Sequence, residues 1–89
     1  MYTMKCRSVG NPDHAQYAPV SDPQVITGET LLEIRTKALA YIAEWELGGG
    51  NWPQCIVKLN DKKVGYMSYN GRFWSGTSKN WSSDKEILI

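Results

Sequence analysis

The sequence has a single histidine, His14, and two cysteines, Cys6 and Cys55. That scarcity removes most metal and nucleophile chemistry. Zinc sites draw four ligands from clustered Cys and His, and neither C-x-x-C nor H-x-x-H spacing occurs. G-x-S-x-G, G-x-G-x-x-G and P-loop patterns are also missing. Asp13 precedes His14, but neighbours on an extended loop point in different directions, so adjacency makes no dyad. His14 reads as a solvated loop residue. We therefore expect no enzymatic activity, no cofactor and no metal.

An excess of charge of one sign is lacking as well. Ten basic against nine acidic residues leave a net charge of +1, which excludes an acidic DNA mimic and a general polyanion binder, for which a pI above about 9 is expected. No stretch approaches the roughly 18 apolar residues of a membrane span, and MYTMKCRSVG has no signal-peptide apolar run of about 7 to 15 residues. We expect a cytoplasmic protein with no membrane partner. Two cysteines are few for a secreted scaffold stapled by disulfides. They could make one disulfide, but we expect reduced, buried thiols that pack as small hydrophobes.

What is present is enough for one domain over residues 1–89. With 42% hydrophobic and 21% charged residues the chain lies in the globular range. Its compositional excess is aromatic. Four Trp and five Tyr are more than a core of this size encloses easily, so some rings should reach the surface, where Trp and Tyr favour interfaces.

YTMKCRSV alternates Tyr2, Met4 and Cys6 with Thr3, Lys5 and Arg7, the period of two that predicts a strand with one buried face. Residues 10 to 24 hold Pro12, Pro19 and Pro23 and show no period, which predicts an irregular surface excursion. A helix follows. Two starts compete: Thr27 as N-cap with Ile26 and Leu31 as a hydrophobic staple, or Thr30 with Glu33 as a capping box. We take Thr27. At 100° per residue Leu31, Ile34, Ala38, Tyr41, Ile42 and Trp45 share the side that packs on a sheet. Arg35 and Glu46 fall near its edge, where their stems can lie over apolar surface. Gly48, Gly49 and Gly50 end the helix, with Gly48 able to take the left-handed C′ position. Phosphate-cradling loops precede a helix rather than follow it, so the triple glycine is a stop signal.

QCIVKL, VGYMSY and RFWS read as three strands joined by tight turns at Asn60 to Lys62 and at Asn70–Gly71. With two-residue turns the phases agree. Cys55, Val57, Leu59, Val64, Tyr66 and Phe73 then fall on the core face; Ile56, Lys58, Gly65, Met67, Tyr69, Arg72 and Trp74 fall on the other. In the tail, Ser83 and Glu86 make a capping-box pattern, and a short edge strand or one turn of helix both fit the end at Ile87, Leu88 and Ile89. The expected architecture is α+β, a two-layer sandwich with one long helix on a mostly antiparallel sheet of three or four strands, in the order β-α-β-β-β.

The outer sheet face is the candidate site. Ile56, Met67, Tyr69 and Trp74 form an apolar and aromatic band flanked by Lys58, Arg72, Lys5 and Arg7. The alternative is that the band is ordinary strand composition, covered by residues 10 to 24 or by the tail. As a surface it suits a protein partner, with aromatic anchors and Arg72 as a hot spot. It also suits single-stranded nucleic acid, with stacked rings and phosphates on the cations. The balanced charge and the lack of an RNP signature in GRFWSG favour protein.

The layout of strand, long loop, helix ETLLEIRTKALAYIAEWEL, GGGNWP and hairpins around NDKK and YNGRFW resembles, over residues 1–75, small single-domain proteins of phages and mobile elements, including anti-CRISPR inhibitors. That resemblance implies a non-enzymatic viral inhibitor in the host cytoplasm. It would block a host defence protein or ribonucleoprotein complex sterically. A homodimer closed by the same face is the other assembly the band allows.

Overall fold

The computed structural model describes residues 1–11, 15–16, 18–76 and 85–89. Along the chain lie β1 (Tyr2–Cys6), β2 (Gln24–Gly28), α1 (Leu31–Glu44), a 3₁₀ turn (Gly49–Asn51), β3 (Ile56–Leu59), β4 (Lys62–Met67), β5 (Phe73–Trp74) and β6 (Glu86–Ile87). The strands form one antiparallel sheet in the order β2-β1-β3-β4-β5-β6, and α1 packs against β1 and β2. Helix-on-sheet packing and the α+β class agree with expectation. The sheet has six strands instead of three or four, because β2 and β6 join its two edges.

β2 occupies the end of the stretch expected to be irregular and the start of the expected helix. Val25, Ile26 and Thr27 are three β-branched residues in a row, which favour extended backbone, and Ile26 pairs with Met4 of β1. Gly28 ends the strand where a side chain would meet Glu33. The helix then starts at the later of the two candidate caps. Thr30 is extended, its Oγ1 accepts from Glu33 N at 3.2 Å, and the Glu33 carboxylate accepts from Glu29 N at 3.2 Å.

The inner layer follows the helical period. Leu31, Ile34, Ala38, Tyr41 and Ile42 are buried against Met4, Cys6, Ile26, Val57, Met67 and Phe73. Trp45, expected on that side, is instead 36% exposed, with its ring 6.4 Å from that of Tyr41. The helix stops before the glycines. Glu46 takes the left-handed conformation at φ 52°, Glu46 N donates to Ala43 O and Leu47 N to Ile42 O. That is a Schellman ending with Glu46, not Gly48, at C′ and buried Leu47 as its apolar partner. Trp52, buried beneath the helix end, donates from Nε1 to Met67 O at 2.8 Å.

Both hairpins depart by one residue from their expected register. The β3–β4 turn is Asn60–Asp61 with φ of 50° and 69°, the two-residue form anticipated. The pairing nonetheless slips, from Lys58↔Lys63 to Val57↔Gly65, leaving Val64 as a bulge. The β4–β5 connection is a three-residue loop closed by Gly71 N to Ser68 O and Ser68 N to Arg72 O, with Gly71 at φ +84°. A one-residue slip exchanges the faces of a strand. Tyr66 therefore leaves the core face and Met67 enters it, fully buried. The second slip cancels the first in β5, so Phe73 stays inside and Trp74 outside.

Candidate functional site

The face away from α1 is built by register alone. One row crosses all six strands: Val25, Lys5, Ile56, Tyr66, Trp74 and Glu86, joined by the pairs Lys5↔Val25, Ile56↔Tyr66, Tyr66↔Trp74 and Trp74↔Glu86. Lys5 meets Ile56 by continuing the β1–β3 pairing one residue beyond Met4↔Val57. A second row holds Thr27, Thr3, Lys58 and Lys63. Arg7 follows Lys5 at the end of β1 and is exposed, as are Lys5 and Lys58.

These residues surround two concavities. The larger, about 580 Å³, is lined by Lys5, Arg7, Lys58, Gln54 and Ile56, with Asp61 as its one carboxylate among the described residues. The smaller, about 430 Å³, is lined by Gln54, Tyr66, Ser68, Tyr69, Asn70 and Trp74. Trp74 is half-buried and donates from Nε1 to Ser68 Oγ at 3.3 Å. Tyr69 is 39% exposed, and its hydroxyl donates to Leu47 O at 2.9 Å, so its ring leans toward the helix end. Tyr66 belongs to the same face yet is only 5% exposed.

Of the expected site residues, Lys5, Arg7, Ile56 and Lys58 are brought together around the first concavity, and Tyr69 and Trp74 around the second. Met67 does not belong: the Val64 bulge turns it under the helix. Arg72 lines a separate concavity of about 110 Å³ with Arg35 of α1 and Ile87 of β6. The expected covering of the band by residues 10 to 24 or by the tail falls partly on residues 12–14, 17 and 77–84, which lie outside the described residues, as do His14, Trp81 and Ser83.

Gln54 escaped sequence analysis. It borders both concavities, holds left-handed backbone at φ 59°, and its Oε1 is buried with no hydrogen-bond partner among the described residues. Strained backbone together with an unmatched buried acceptor is a pairing that clusters at functional sites. A glutamine after a proline gives no sign of either.

The groups with displaced titration lie on the other side of the sheet. Burial, and then the charge of Cys55, pushes the Cys6 thiol up to about 12; burial also raises Cys55, with the backbone and the charge of Arg7 opposing. Tyr41 is raised by burial despite its hydrogen bond to Ser21. Among the described residues no group of three or more His, Cys, Asp or Glu is placed to hold a metal ion, and no helix is long and apolar enough to cross a membrane. No protein-family model matches the chain, and neither does any curated protein or solved structure.

Proposed function

We propose that this chain is a non-enzymatic protein-binding module that docks through its helix-free sheet face on an acidic patch of a larger protein or ribonucleoprotein. What supports this is the concentration of Lys5, Arg7 and Lys58 around one concavity with a single carboxylate among the described residues, beside Ile56 and Trp74, on a chain whose net charge is only +1. Charge of this kind steers encounter, while the apolar row supplies contact area. Steric inhibition of a host defence complex, in the manner of the phage proteins it resembles in layout, is the activity that such a small docking body suits.

Single-stranded nucleic acid is the second reading, favoured by the same cations. It is the weaker one because Tyr66 is enclosed, leaving Trp74 as the accessible ring in the row. Successive bases need several stacking platforms.

The test is affinity capture from host lysate with and without nuclease, followed by titration of the captured partner. Trp74→Ala, Lys58→Ala and Arg7→Ala should each weaken binding by about 1 to 3 kcal/mol with the fold intact. Arg72→Ala, on its separate concavity, serves as the control. Capture that vanishes with nuclease and falls steeply with salt would favour nucleic acid instead. Unchanged affinity in all three variants would remove the face from consideration.

A further inference from the structure

The thiols of Cys6 and Cys55 lie on the helix side of the sheet and take no part in the face described above. The β1–β3 register pairs Tyr2 with Leu59, Thr3 with Lys58 and Met4 with Val57. Carried two residues further, it sets Cys6 opposite Cys55. Cys55 O accepts from Met67 N at 3.0 Å, so the backbone polar groups of Cys55 turn toward β4 and away from β1. A cross-strand position of this non-hydrogen-bonded kind is the closer one, bringing Cα atoms to about 4.5 Å in a regular ladder. Disulfides span Cα separations of about 4.4 to 6.8 Å. Both thiols are free, both are buried in the same apolar cluster, and the charge of Cys55 is felt at Cys6.

We propose that Cys6 and Cys55 form an oxidative modification site that closes to a disulfide between β1 and β3 when the chain meets a peroxide. Cys55 attacks first. It lies ahead of β3, outside the regular strand, and keeps 4% exposure, whereas Cys6 has none. The Arg7 charge offsets part of the rise that burial imposes on the Cys55 pKa. The Cys55 sulfur attacks one peroxide oxygen, the O–O bond breaks, and the departing oxygen leaves as water once protonated, giving a sulfenic acid. The Cys6 sulfur then attacks the Cys55 sulfur, the S–O bond breaks, and the hydroxyl leaves as a second water with the Cys6 proton. Two thiols are oxidised and one peroxide is reduced to two waters. Because buried thiols react slowly, closure takes place over hours, not seconds. Once formed, the bond ties the strands beneath Lys5, Arg7 and Gln54 and stiffens the outer face.

The experiment exposes the folded protein to excess hydrogen peroxide for hours, then denatures it, alkylates it with N-ethylmaleimide and measures the intact mass and the non-reduced peptide map. The expected result is loss of two hydrogens, no alkylation, a linked peptide pair containing Cys6 and Cys55, and a Tm higher by about 10 °C or more that dithiothreitol reverses. Cys6→Ala, which keeps an apolar residue at that position, should leave a sulfenic acid on Cys55 that dimedone captures. Where that variant does not fold, the wild-type peptide map decides alone. Sulfinic or sulfonic acid on one cysteine, a link between two chains, or two thiols still fully alkylated after exposure would each overturn the site.

Discussion

Glu46 and Gln54 hold left-handed backbone, at φ 52° and 59°, that glycine adopts without steric cost. For Glu46 the structural reason is plain: it is the C′ residue that lets Leu47 fold back onto the core. Its side chain is exposed, so Glu46→Gly should relieve the conformation with little loss of contact. Set against the added freedom of glycine in the unfolded chain, the net gain is about 0.5 to 1 kcal/mol, read as a higher urea midpoint at unchanged slope. Gln54 combines the same strain with a buried acceptor that has no partner among the described residues. Gln54→Gly should therefore raise stability more, by about 1 to 2 kcal/mol. If Gln54 serves the docking face, the same variant binds its partner less well, the exchange of activity for stability common at strained sites. A lower midpoint for Gln54→Gly would show that its side chain supports the fold.

At the scale of elements, the fold is legible in the sequence where hydrophobic period meets a single buried face. Met4 and Cys6 of β1 and the five buried positions of α1 are of this kind. β2 is hidden because prolines nearby argue for a loop, although Val25-Ile26-Thr27 carries the strand signal. The hairpins failed for a different reason. Alternation fixes which residues share a face only while the strand is regular, and one extra residue reverses everything beyond it. Gly65 was the available warning, since an isolated glycine inside a strand pattern often marks a bulge or a close backbone approach; a side chain there would run into the Trp74 carbonyl. Asn70-Gly71 suited a two-residue turn and equally the observed loop with Gly71 left-handed. Ile56, Lys58 and Trp74 thus keep the outer face in β3 and β5, while in β4 Tyr66 takes it in place of Met67. The exchange can be measured. With Met67 in the core, Met67→Ala should cost about 2 to 5 kcal/mol and Met67→Leu less than about 1.5. On a solvent face both would fall within about 0.5.

For the whole molecule, the radius of gyration of 12.7 Å is close to the roughly 12 Å expected for one packed body of this length, so its buried titratable groups should report on global unfolding. Cys6, Cys55 and Tyr41 all have raised pKa values in the fold, each chiefly from burial. For an acid that is neutral when protonated, a raised folded value means that the folded state keeps its proton where the unfolded chain has lost it. Stability from these groups is therefore complete below their unfolded values, 9.0 for the thiols and 10.0 for Tyr41. It is lost as pH climbs toward about 12, where Cys6 titrates in the fold. Each group contributes a slope of at most about 1.4 kcal/mol per pH unit within its window. Urea midpoints should accordingly be insensitive to these three groups from pH 7 to 8 and fall from about pH 9 upward. Closing the Cys6–Cys55 disulfide removes both thiols from the balance, leaving the decline to Tyr41, so the oxidised form should begin to lose stability about one pH unit later and less steeply. Parallel alkaline curves for the reduced and oxidised forms would mean that the thiols are not what couples this fold to pH.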